Sequence, residues 1–132
     1  MIIMEVIDMN AEDKKIAVVA CSGASNTGQT TNEVATNLCA KSEDYTMVCL
    51  AALTLGHKNS LDKIADAKKI VVVDGCPVKC ASQIVAKYTD KKPNLDIQIM
   101  EEYGIKKVPK PTFEKQDIQR ISKDIKDKVK NL

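Results

Sequence analysis

Along this chain, short runs of consecutive apolar residues alternate with stretches whose apolar residues recur every three or four positions. Each change of period marks an element. Ile16, Ala17, Val18, Val19 and Ala20 form an unbroken apolar run, as in a strand buried on both faces. A turn rich in Gly, Ser and Asn covers residues 22–28. Residues 31–41 then predict a helix with Val34, Ala35, Leu38 and Cys39 on one face. A second apolar run predicts a strand over 47–51. Asn59 or Ser60 can cap a short helix through Ala67 that turns Leu61, Ile64 and Ala65 inward. Residues 70–73 are wholly β-branched and stop at Asp74-Gly75, the clearest strand in the chain. Pro77 suits the first position of a helix capped at Cys76, which would run to about Tyr88 and bury Ala81, Ile84 and Val85. Leu95, Ile97 and Ile99 alternate with polar residues, so residues 96–100 predict a half-exposed strand at a sheet edge. Thr112 can cap a last helix, whose stripe is Ile118, Ile121, Ile125 and Val129.

Strands alternating with helices make βαβ units, so the fold class expected is α/β. It is a single three-layer domain, with a mainly parallel sheet of about four strands and helices on both faces. A length of 132 residues agrees with one domain. Residues 1–13 read as a short N-terminal leader and 14–132 as the α/β domain. Composition narrows the function. Twenty basic residues against eighteen acidic ones leave a charge of +2, and there are three Tyr, one Phe and no Trp. Neither an electrostatic nucleic-acid surface nor an aromatic stacking platform is expected. No run approaches the roughly 20 apolar residues needed to span a membrane. The start, with Glu5 and Asp8 and no basic segment, is not that of a signal peptide, so a cytoplasmic location is expected.

Five cysteines in a reducing compartment point to metal or thiol chemistry rather than to disulfides. Their placement is the informative feature. Cys21 follows the first strand, Cys49 lies near the end of the second, and Cys76 follows the third, at intervals of 28 and 27 residues. In a parallel sheet all strand carboxyl ends share one edge, and three neighbouring ends span only about 10 Å. Open α/β sheets bind ligands there. Cys80 follows Cys76 by one helical turn, close enough for both thiols to face one point from a helix N-terminus that favours thiolate. Four thiolates suit zinc, and an Fe–S cluster is a less favoured alternative. The same residues could instead serve as thiols for sulfur transfer or redox exchange, Cys76 or Cys21 being the nucleophile. Cys39, mid-helix beside Leu38, reads as core.

The segments Ala20-Cys21-Ser22-Gly23-Ala24-Ser25-Asn26-Thr27-Gly28-Gln29, Met47-Val48-Cys49-Leu50-Ala51 and Asp74-Gly75-Cys76-Pro77-Val78-Lys79-Cys80-Ala81 follow one another in a characteristic order. Together with Gly104-Ile105-Lys106-Lys107 they resemble the DGC-domain family, named for its central Asp-Gly-Cys. The resemblance covers roughly residues 15 to 107. It implies a zinc-binding domain whose metal ligands are Cys21, Cys49, Cys76 and Cys80, without implying a reaction. Cys39 matches no such position. One departure is Leu53-Thr54-Leu55-Gly56-His57, where a glycine-rich stretch is usual in the family.

Two other readings of the first loop fail on single residues. Gly23 and Gly28 have P-loop spacing, but Gln29-Thr30 stands where Lys and Ser/Thr are required. Low-molecular-weight tyrosine phosphatases need an arginine six residues after their strand-end cysteine, where this chain has Thr27. The loop still suits a tight turn or an anion cradle. Asp74 is expected either to order the loop around Cys76 or simply to start the turn with Gly75. His57, the only histidine, falls on the loop after the second strand, on the cysteine edge. It is a candidate ligand or proton carrier, or a solvated loop residue. Lys79, between two cysteines, would offset thiolate charge or lie exposed.

Overall fold

A computed structural model describes residues 15–132 of the chain. The leader expected over 1–13 lies outside the described residues. The sheet has four parallel strands: β1 (Ile16–Ala20), β2 (Tyr45–Met47), β3 (Lys69–Asp74) and β4 (Leu95–Gln98), in the order β2-β1-β3-β4. The helices are α1 (Asn26–Lys41), α2 (Leu50–Thr54), α3 (Lys58–Asp66), α4 (Cys80–Tyr88), α5 (Ile99–Tyr103) and α6 (Lys115–Lys130).

The alternation of side chains along each strand explains the three layers. Val18, Ala20, Val71, Val73 and Ile97 face a core closed by Val34, Ala35 and Leu38 of α1, Ile99 of α5 and the Ile118, Ile121, Ile125, Val129 stripe of α6. Ala17, Val19, Ile70 and Val72 face the opposite core, closed by Leu53 of α2, Ile64 of α3 and Ala81 and Val85 of α4. The α/β class, the parallel sheet and the helices on both faces are therefore as the sequence predicts. So is the edge position of β4. Among the described residues no helix is long and apolar enough to cross a membrane.

Several boundaries differ from those the pattern predicts, each for a physical reason. The run over 47–51 straddles two elements: β2 ends at Met47, the Val48 amide adds one more bond to the Val18 carbonyl at 2.9 Å, and α2 starts at Leu50. An unbroken apolar run does not show where a strand becomes a helix. Helix α1 begins five residues before the predicted start, because its first turn buries Thr27, Gly28, Thr30 and Thr31 and so carries no apolar signal. Ser25 caps it, accepting from the Gly28 amide at 3.0 Å. Helix α3 starts at Lys58, with His57 rather than Asn59 or Ser60 at its N-cap, and Ala65 faces solvent. Strand β4 stops at Gln98, so the run expected to be strand through Met100 ends in α5. Helix α6 starts at Lys115, with Glu114 rather than Thr112 at its N-cap.

Candidate metal centre

The order β2-β1-β3 makes the three strands that deliver cysteines immediate neighbours. Cys21 continues β1: its amide donates to the Val73 carbonyl at 3.1 Å, so the ladder between β1 and β3 runs into the cysteine itself. Its thiol lies 3.5 Å from the Thr31 hydroxyl, and the Ser22 amide donates to that same hydroxyl at 3.0 Å. Ser22 sits at φ 51 and Lys79, just before Cys80, at φ 55. A left-handed residue with a side chain costs about 1 kcal/mol, so strain is stored beside two of the cysteines.

Close backbone packing joins the loops after β1 and β3. A methyl group on Gly28 would lie 2.5 Å from the Gly23 carbonyl oxygen, and one on Gly75 would lie 2.9 Å from the Gly28 amide nitrogen. The three glycines thus stack the first loop directly on the Asp-Gly-Cys turn. Asp74 explains the first letter of that motif. Its carboxylate, 1% exposed, accepts from the Ala81 amide at 2.8 Å and the Ser82 amide at 3.0 Å. It is the side-chain cap of α4, supplied from the end of β3 rather than from the residue before the helix. Burial pushes the Asp74 carboxyl above its usual range, against the two amides that pull it down.

That remote cap corrects the expected start of α4. Residues 76–79 form a turn closed by the Lys79 amide on the Cys76 carbonyl at 3.1 Å, with Pro77 second in the turn, and the helix opens at Cys80. Cys76 is therefore not at a helix N-cap. It has a cation instead: the Lys107 ammonium lies 3.8 Å from its sulfur. Lys107 is held there by Asn26, whose side chain donates to the Lys106 carbonyl at 2.7 Å and accepts from the Val108 amide at 2.7 Å. Nothing in the spacing of Lys107 from the cysteines signals this contact, which crosses 31 residues. Lys79 pairs with Asp96 at 3.1 Å, and the Ser82 hydroxyl also bonds Asp96.

All five cysteines are free; Cys49 and Cys80 are exposed, and Cys21 and Cys76 are partly so. Cys21 and Cys49 line one cavity with His57, whereas Cys76 and Cys80 do not line it. Among the described residues no three His, Cys, Asp or Glu side chains are gathered at metal-holding distance. The donor types on this edge suit a soft divalent ion, but chelation requires thiols now held by Thr31 and Lys107 to turn toward one another. Cys39 packs against the α1 side of the core, as expected, and burial pushes its thiol up to about 11. At pH 8 only about a thousandth of it is thiolate. Cys39 is therefore expected to alkylate slowest of the five cysteines in the folded chain, its rate still climbing tenfold per pH unit at pH 10. Mass mapping after timed iodoacetamide treatment checks this, and early labelling of Cys39 would contradict its burial.

These features define a class of small α/β domain with cysteines on consecutive strand ends and an Asp-Gly-Cys turn at the third. Residues 17–125 match the DGC domain, and the chain belongs to that family. Over 114 residues it is 28% identical to the anaerobic and virulence modulator AnvM of Pseudomonas aeruginosa, covering 86% of this chain and 85% of that protein. No solved structure matches the chain.

Proposed function

We propose that this protein is a cytoplasmic metal-binding protein that holds a thiophilic ion, zinc foremost, with Cys21, Cys49, Cys76 and Cys80. The observation that carries the reading is the strand order: β2, β1 and β3 are adjacent, so the strands that lead into Cys49, Cys21 and Cys76 end side by side at one carboxyl edge. Four thiolates complete a tetrahedral shell at about 2.3 Å from the metal. Cys49 and Cys80 are exposed and free to turn inward. Four thiolates on a divalent ion leave net negative charge, which the Lys107 ammonium beside Cys76 offsets. A closed shell of this kind activates no water and would act by fixing the three loops. Two apolar cores flank the sheet, so the fold does not depend on the ion as a zinc finger does. The name of the Pseudomonas relative, a modulator, favours a regulatory use of such a site over a catalytic one. Near-neutral charge and few aromatics argue against a nucleic-acid partner.

A second reading, a sulfur-transfer or redox enzyme, is favoured by Lys107, which places positive charge where a Cys76 thiolate would attack. Elemental analysis and an absorbance spectrum of protein purified without chelator separate the two. About one zinc per chain with no visible chromophore is expected. Brown protein containing iron and sulfide would replace zinc by a cluster. Metal-free protein that takes up no zinc would leave the thiol reading.

A further inference from the structure

A cavity of about 900 Å³ opens at the carboxyl end between β1 and β2, beneath α2 and α3, within the size range of small-molecule clefts. Its lining is chemically polarised. Val48, Leu50 and Ile84 supply an apolar wall, and Cys21 and Cys49 also line the cavity. The remaining polar groups come chiefly from the start of α3: His57, Asn59, Ser60 and, one turn on, Lys63. Among the described residues no Asp or Glu lines the cavity; Asp62 and Asp66 line an adjoining depression that shares Asn59 and Lys63 with it.

Three observations converge on that pole. Helix α3 spans nine residues, and its N-cap residue His57 makes no side-chain capping bond, which leaves first-turn amides without an acceptor among the described residues. Ser60 is 4% exposed and lines the cavity, yet its hydroxyl has no hydrogen-bond partner among the described residues. That oxygen is not sealed from solvent, so it is free to bond a ligand that enters the cavity. The Lys63 ammonium donates to the Met47 carbonyl at 3.1 Å and forms no ion pair among the described residues. Free amides, an unpartnered hydroxyl facing the cavity and a cation beside it make an anion site.

We propose that this cavity binds a small organic acid, its carboxylate on Ser60, Lys63 and the first turn of α3, and its short apolar body against Val48, Leu50 and Ile84. The far end of the ligand lies beside Cys21 and Cys49. This assignment goes beyond the metal reading, and the two fail separately, because the acid site uses residues of α3 that are not candidate ligands of the ion.

The test uses the full chain as purified, with hexanoate as probe and hexan-1-ol as its uncharged counterpart. Hexanoate is expected to shift the amide NMR signals of residues 58–60 and to bind at least about tenfold more tightly than hexan-1-ol. After removal of metal by chelation, it is also expected to slow alkylation of Cys21 and Cys49 while leaving Cys80 unaffected. Ser60→Ala should weaken hexanoate about fivefold or more, with metal content and amide dispersion unchanged. Lys63→Met gives a second variant should Ser60→Ala disturb α3. Equal affinity for acid and alcohol, signals at 58–60 that do not move, or wild-type hexanoate binding by both variants would overturn the proposal. A chain that binds hexanoate but no metal would overturn only the metal reading.

Discussion

Gly28→Ala is expected to be the most damaging single methyl that can be added to the crevice, costing about 3 kcal/mol of stability. The new carbon would stand 2.5–2.6 Å from three backbone atoms of Gly23, and backbone, unlike a side-chain tip, has nowhere to move. Displacing Gly23 disturbs Cys21, the thiol nearest the position of a Cβ on that residue, at 3.9 Å. The variant should therefore lose both a large part of its unfolding free energy and its capacity for metal. Gly56→Ala is the control, since its φ of +73 adds strain but no atom stands within 4 Å. It should cost only about 1 kcal/mol and leave metal uptake intact. Denaturant midpoints for the two variants measure the difference. A Gly28→Ala chain as stable as Gly56→Ala would mean that the loops after β1 and β3 are not packed on one another as described.

Asp74→Ala has the next largest expected effect, about 2–3 kcal/mol. It removes a buried carboxylate and strands the Ala81 and Ser82 amides at the start of α4 without acceptors. Because α4 opens at Cys80, the damage is directed. Amide exchange should accelerate at residues 80–83 while the β1 and β3 amides stay protected, and metal affinity should fall although no proposed ligand has been changed. Exchange measured by mass spectrometry checks this. Uniform acceleration over the whole sheet would show that Asp74 supports the fold globally instead of capping one helix.

How far this arrangement can be read from the chain depends on the range of the interactions that create it. The β-branched run before Asp74 and the Ile118 to Val129 stripe are legible because burial imposes their periods residue by residue. The edge placement of Cys21, Cys49 and Cys76 follows from a parallel topology alone. The starts of α1 and α4 are not legible, because one hides its buried face in threonines and the other borrows its cap from a strand six residues upstream. The Lys107 contact with Cys76 depends on Asn26 holding a loop 80 residues away, and no local pattern records a pairing at that distance. The Asp-Gly-Cys motif is visible as a word in the sequence. Its physical meaning, a remote helix cap, a residue without a side chain where backbones meet and a thiol at the crevice, requires the fold.

The most direct test of the proposed metal centre is cobalt(II) titration of the wild type and of five Cys→Ala variants, read by the thiolate-to-cobalt absorption. Cobalt(II) takes up the tetrahedral thiolate geometry of zinc and gains intense absorption for each sulfur bound. The wild type is expected to saturate at one ion per chain. Cys39→Ala should match it, because that thiol packs against the core near the C-terminal end of α1, whereas Cys21 and Thr31 meet at the other end. Removal of Cys21, Cys49, Cys76 or Cys80 should each weaken uptake and lower the absorption per ion. A Cys39→Ala variant that loses the signal, or a Cys49→Ala variant that keeps all of it, would contradict a site built from the ends of three adjacent strands.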